Sequence, residues 1–356
     1  MKCRIYYHMQ DLDGYASQQI LAKHFKSKNY EVECIPYDYH INVNFDEFTE
    51  ETIKELTVVF VDVLPYQKPD YIKNLTGLFK ERLVIIDHHK SSIEYLNEFL
   101  ELWPDTDTSN WILFTDYAAC ELAYIYTIIG KVEKQDLEET VKKNYVYVPK
   151  HIKLLGRYDI HDESSEFPWK TILYFQYGMR SFIDDLCEPK DNNVFDLLDV
   201  LYGDMSDYKN TPSVKYTVTI SEIIKNGIAI TNYIKTRNKK ILEMKSFIRV
   251  SFYSKTGKKT SHSKCYFAND IANNTKIFED NDLYNDPEAI YVLANYNILK
   301  GIYTVSLYST NDSKIDVSSI ASIMGGGGHK HAAGFRSSYV CYNDNKNNKI
   351  NVLTIK

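Results

Sequence analysis

Two apolar runs, "LTVVFVDV" at 56–63 and "RLVIIDH" at 82–88, are nearly continuous rather than alternating. A strand with one wet face alternates apolar and polar residues, whereas a strand covered on both faces has no reason to. "CRIYYH" (3–8) and "EVECIPY" (31–37) read as further strands. Between and after them come helical patterns, "ASQQILAKHFKSK" (16–28) and "DYAACELAYIYTIIG" (116–130), the latter closed by Gly130. Covered strands interleaved with helices predict an α/β fold, a doubly wound and mainly parallel sheet. Sites in such sheets collect beyond the carboxyl ends of the strands.

The ends of these strands carry the chemistry. "VIIDHHKSS" (84–92) passes from a core strand straight into Asp87, His88 and His89. Three adjacent ionisable groups at a buried strand end must be paired or must ligate metal. Asp11 and Asp13 in "DLDG" follow the first strand, and Asp62 ends the third. By itself "DLDG" is an ordinary turn, and Asp62 by itself a helix cap. Together they place carboxylates and imidazoles on one rim, where they would repel unless a cation neutralised them. Oxygen ligands suit Mg²⁺, and added imidazole nitrogen favours Mn²⁺. Asp62 is placed to bridge two ions, a pairing suited to phosphoryl transfer.

The C-terminal part reads differently. A long helical pattern at about 216–246 follows a change of composition at "CEPKDNN" (187–193) and a polar stretch, "GDMSDYKNTPS" (203–213). Strand patterns then appear in "FIRVSFYS", "AIYVLANYN" and "YTVSLYS". The expected organisation is a domain over 1–205, a linker and connector helix over 206–246, and a smaller α/β domain over 247–356. Near its end, "DVSSIASIMGGGGHKHAAGF" (316–335) sets four glycines between an apolar helical segment and "AAGF". A flexible linker would have polar surroundings. Glycines here let backbone N–H groups approach an anion, with His329 and Lys330 as added donors.

Composition restricts the partners. The net charge of −6 over 356 residues argues against a broad basic face for long nucleic acid, because such surfaces bind through many phosphate contacts. The six cysteines are scattered without a CxxC pair, which argues against a zinc ribbon or a disulfide framework. Cys120 reads as helix packing, and His24, His40, His151 and His262 as ordinary histidines. Gln10, Asp11 and Asp13 interrupt any leader-like start. A cytoplasmic protein with no membrane partner is expected, and a homodimer is left open.

In this order the motifs resemble the DHH phosphoesterase family, in the branch with a DHH-associated C-terminal domain and its GGGH signature. "DLDG", Asp62, "DHH", Asp159 in "RYD", and "GGGGHKHAAGF" carry the resemblance across nearly the whole chain. It implies a two-ion Mn²⁺ site, with His8 and Asp11 on one ion, Asp13, His88 and Asp159 on the other, and Asp62 bridging. It further implies that Asp87 orients the histidines and His89 faces the substrate phosphate. Gly325, Gly326, Gly327, Gly328 and His329 would hold the substrate, with Arg336 as a further contact. Two departures stand out. His8 is three residues before Asp11 where many members have four, and His331 stands where many have glycine.

The resemblance implies a nano-RNase-like phosphodiesterase that releases 5′-mononucleotides from short oligonucleotides or small nucleotides. A cyclic-dinucleotide phosphodiesterase, an exopolyphosphatase- or pyrophosphatase-like hydrolase and a non-catalytic nucleotide-binding protein are the rivals. Bound metal separates the last of these from the enzymes.

Overall fold

A computed structural model describes residues 1–38, 43–45, 48–65, 69–132, 134–182, 219–241, 248–253, 257, 259–262, 264–268, 275–279, 282–345 and 350–355. The chain forms two units, Met1–Ile230 and Thr231–Lys356. The composition change at 187–193 and the polar stretch at 203–213 lie outside the described residues.

Strands β1 (Lys2–His8), β2 (Glu31–Tyr37), β3 (Leu56–Val61), β4 (Leu83–Asp87) and β5 (Trp111–Leu113) build the sheet of the first unit in the order β2-β1-β3-β4-β5. Every pairing in it is parallel. Every residue of β3 and β4 is buried, which accounts for the two continuous apolar runs. Successive side chains point to opposite faces, and each face has its own core. Ile5, Tyr7, Val59, Val61, Val84, Ile86 and Ile112 belong to one core, and Tyr6, Val58, Phe60, Leu83, Ile85 and Trp111 to the other. Phe60 is fully buried, and truncating such a ring to alanine costs about 3–5 kcal/mol.

Helices α1 (Leu12–Ser27), α2 (Glu50–Glu55), α3 (Pro69–Phe79), α4 (Lys90–Leu102), α5 (Ala119–Ile129), α6 (Leu137–Asn144), α7 (Lys150–Asp159) and α8 (Trp169–Met179) complete the first unit up to residue 182. Side chains of α1, α5, α7 and α8 fill the first core, and those of α3 and α4 the second. Helix α1 begins four residues before the predicted helix at 16–28, because Asp11 caps it by accepting the Gly14 N–H at 3.0 Å. Gly130, with φ +64°, ends α5 where the sequence predicts. The division between the units falls within helix α9 (Ile220–Ile241).

The second unit contains β6 (Ile248–Tyr253), β7 (Lys259–His262), β8 (Cys265–Ala268), β9 (Ile290–Asn297), β10 (Ile302–Tyr308), β11 (Gly327–His329), β12 (Ala332–Ser337), β13 (Val340–Asn345) and β14 (Ile350–Ile355). Its sheets run β11-β12-β10-β9-β8 and β13-β14-β6-β7. Helices α10 (Lys276–Glu279) and α11 (Val317–Ile323) accompany them. Val250, Phe252, Val292, Val305, Ile320 and Phe335 share its main core. The described residues are thus α/β, with a parallel sheet in the first unit and a smaller mixed α/β arrangement in the second. Among the described residues, no helix is long and apolar enough to cross a membrane.

Candidate metal centre

The carboxyl end of β1 stops at His8, and α1 starts at Leu12, so Asp11 and Asp13 flank the helix start. Asp11 uses Oδ1 to cap α1, and its Oδ2 lies 3.1 Å from His8 Nδ1. The three-residue spacing therefore keeps His8 beside Asp11. Asp13 points the other way: its two oxygens accept the N–H groups of Ala119 at 2.8 Å and Cys120 at 2.7 Å, at the start of α5. Those donors belong to a helix N-terminus, where a carboxylate is favoured. Sequence reading misses them because backbone groups leave no residue signature.

Asp62 follows β3 and adopts φ +60°. Aspartate tolerates this left-handed region better than most residues. Its N–H donates to the Ile86 carbonyl at 2.9 Å, which holds the turn against β4. The side chain is almost wholly buried and lies between His8, the last residue of β1, and His88, which follows β4. Its Oδ2 is 3.5 Å from His8 Nδ1, and its Oδ1 is 3.2 Å from His88 Nε2.

Asp87 ends β4 and is fully buried. Its Oδ1 accepts the N–H groups of His88 and His89 at 2.7 and 3.0 Å, and it meets His89 Nδ1 at 2.7 Å. The carboxylate thus sets both the backbone turn and the orientation of the His89 ring. Asp159, the last residue of α7, brings Oδ2 to 3.2 Å from His88 Nε2, and Asp13 Oδ2 lies 3.6 Å from that same nitrogen.

Three overlapping clusters result: His8, Asp11 and Asp62; Asp13, His88 and Asp159; and Asp62, His88 and His89. In each, the available ligand atoms lie within 4.8 Å of one another. Among the described residues, both oxygens of Asp62 and Nε2 of His88 are buried without a hydrogen bond of acceptable geometry, despite the 3.2 Å approach of Oδ1 to Nε2. Lone-pair atoms converging in this way fit a shared divalent cation, and carboxylate with imidazole is a suitable donor set for one.

The electrostatics fit as well. Burial, then the charges of Asp62 and Asp159, push Asp13 well above the usual carboxylate range. Burial, then Asp11 and Asp62, do the same to Asp159. Burial would also raise Asp62, but His8 and His88, with the charge of His89, outweigh it and hold that carboxyl down. Burial opposes charge on His89, yet Asp87 raises the imidazole to about 10. Protons thus balance a concentration of acid that a cation would balance when bound.

The substrate-binding candidates singled out in the sequence belong to the second unit. Gly327, Gly328 and His329 form edge strand β11, paired with Gly334, Ala333 and Ala332 of β12. Two of the glycines have a packing reason. A Cβ on Gly326 would stand 2.0 Å from the Gly334 carbonyl oxygen, and one on Gly328 would stand 2.5 Å from Ala333 Cα. Gly325 has φ +82° at the end of α11. Arg336 is exposed on β12 opposite Thr304. His331 Nδ1 lies 3.0 Å from the Ser309 hydroxyl.

No family model matches the chain, and no curated protein does. Among solved structures, the chain is similar to an uncharacterized protein from Helicobacter pylori G27, with 17% identity over 94% of this chain and 92% of that one, at a TM-score of 0.35. It is also similar to the pGpG-specific phosphodiesterase PggH from Vibrio cholerae, with 11% identity over 94% and 93% of the two chains, at 0.39. A third likeness is to RecJ in complex with Mn²⁺ from Thermus thermophilus, with 12% identity over 94% of this chain but 49% of RecJ, at 0.40.

Proposed function

We propose that the chain is a metal-dependent phosphoesterase of the DHH type, a phosphodiesterase that hydrolyses short oligonucleotides or small nucleotides to 5′-mononucleotides. The observation that carries this reading is the position of Asp62, whose two oxygens face His8 on one side and His88 on the other. One carboxylate shared between two ligand clusters suits two ions acting on one phosphoryl group.

His8, Asp11 and Asp62 would hold one ion, and Asp62, Asp13, His88 and Asp159 the other; Mn²⁺ is the expected metal, with Mg²⁺ the alternative. Such ions supply Lewis-acid stabilisation of phosphoryl charge and a nucleophilic water near neutral pH. Asp87 fixes the His89 ring through Nδ1. An imidazole held in its charged form by that carboxylate offers a donor to a phosphoryl oxygen. Gly325, Gly326, Gly327, Gly328, His329 and Arg336 are the substrate-binding candidates of the second unit. The acidic net charge of the chain favours a short substrate over a long one.

The test is Mn²⁺-dependent hydrolysis of a 5′-phosphorylated RNA dinucleotide, a long RNA strand, cyclic di-AMP and pyrophosphate, with Asp87→Asn as the blank. Fastest cleavage of the dinucleotide, with the variant slower by roughly a hundredfold or more, is the expected result. Preference for the cyclic compound or the long strand would refute the substrate class, and no cleavage of any would refute the enzyme.

A further inference from the structure

Glu121 and Arg157 form an ion pair beside the ligand set, and both are almost wholly buried. Glu121 lies in the first turn of α5, and Arg157 in the last turn of α7. The carboxylate is fully engaged. Oε1 accepts from Tyr145 Oη at 2.9 Å and from Arg157 Nε at 3.1 Å, while Oε2 accepts the Ala118 N–H at 3.0 Å and Arg157 Nη2. Arg157 Nη1 also donates to Asp162 at 3.1 Å and to the Asp116 carbonyl at 3.2 Å. Its guanidinium sits over the rings of Tyr117 and Tyr145. Gly156 lets the helices meet closely, because a Cβ there would stand 2.5 Å from Glu121 Cδ.

The same helical turn therefore has two attachments. Ala119 and Cys120 donate their N–H groups to Asp13, and Glu121, next in the chain, grips Arg157. Two residues beyond Arg157 is Asp159. Asp13 and Asp159 both converge on His88, as Asp62 does from β3. They repel one another, and Asp159 also occupies a helix C-terminus, where the backbone dipole disfavours an anion.

We propose that Glu121 and Arg157 are positioning residues for the second ion, a clamp that holds Asp159 at ligand distance from Asp13 and His88. This rests on the metal-centre reading above. A purely structural ion pair is the plainer alternative, but a buried pair adds little stability over apolar residues of similar volume. Its location, between the elements that carry two ligands of one ion, gives it a geometric task. Residues that orient ligands in this way alter metal affinity by roughly ten- to a hundredfold when changed.

The experiment is Mn²⁺ titration of the 356-residue chain by calorimetry, repeated in a His8→Ala background that removes a ligand of the first cluster. Arg157→Lys keeps the charge and loses the planar fork. It is expected to weaken the ion held by Asp13, His88 and Asp159 by roughly tenfold or more, and the ion held by His8 and Asp11 far less. Glu121→Gln should act in the same direction, and serves if the lysine variant does not fold. Tyr145→Phe, which leaves the ion pair in place, should bind both ions nearly as the parent does. Unchanged affinity in either clamp variant, or equal weakening of both ions with a lowered melting temperature, would overturn the clamp alone. A parent chain that binds no Mn²⁺ would overturn the metal centre with it.

Discussion

A Cβ on Gly14 would stand 2.2 Å from the carbonyl oxygen of His8. The first turn of α1 is therefore packed onto the end of β1 at a distance that only glycine permits. This contact brings Asp11 and Asp13 to the strand end from which His8 projects. Gly14→Ala should push the helix start away from β1, weakening the binding of both ions and costing about 1–3 kcal/mol of stability as overpacking does. Metal titration and chemical denaturation of the variant check this together. Parental affinity for both ions would show that the glycine is not what sets the ligands.

At Asp62 the backbone and the side chain can be tested apart. Its φ of +60° suits Asn almost as well as Asp, whereas Ala there carries left-handed strain of roughly 1–2 kcal/mol. Asp62→Asn should thus leave the metal-free fold intact while removing the shared charge, and turnover should fall by at least about a hundredfold. Asp62→Ala should lose both turnover and stability. Comparing melting and hydrolysis for the two variants decides the matter. An active Asn variant would refute the bridging role.

Much of this centre is legible in the sequence because its ligands sit at strand ends, and strand ends are marked where an apolar run stops. His88 and His89 close such a run, and Asp62 another. Residue Glu121 is not legible in that way. A single acid in "ACELAYIYTII" resembles the wet side of a helix, although that helix is otherwise so apolar that a buried, paired acid is the better inference. Its partner Arg157 is 36 residues away, a separation no local pattern reports. The sequence also omits β5, whose three residues are too few to show a period. The left-handed turn at Asp62 leaves no trace because aspartate is common in ordinary turns.

Proton release should accompany metal binding. In the metal-free protein burial opposes charge on His8, but Asp11 and Asp62 raise it to about 12; His89 is raised to about 10, and Asp13 and Asp159 are also raised. Each raised group keeps a proton to higher pH than it would in the unfolded chain, and an arriving cation displaces it. Affinity should accordingly rise with pH, by about tenfold per pH unit for each proton displaced. Calorimetry at neutral pH in two buffers of different ionisation enthalpy counts those protons. Heats independent of the buffer would show that the centre is deprotonated before the ion arrives.

His151 lies outside the centre and gives the acid limit of stability a separate cause. It is 1% exposed on α7, and its Nε2 has no hydrogen-bond partner among the described residues. Burial lowers its pKa from 6.5 to about 4. Above pH 6.5 the ring is neutral whether the chain is folded or not, so it costs nothing. As the pH falls below that value the unfolded chain takes up a proton that the folded chain refuses, and stability declines until the folded pKa of about 4 is passed. At about 1.4 kcal/mol per pH unit the full loss is on the order of 3 kcal/mol. His151→Leu should remove that part of the pH dependence while leaving metal binding near neutral pH in place. Denaturation of parent and variant, in chelator, at pH values above and below this window measures the difference. Parallel pH profiles would show that His151 accepts its proton while the chain is still folded.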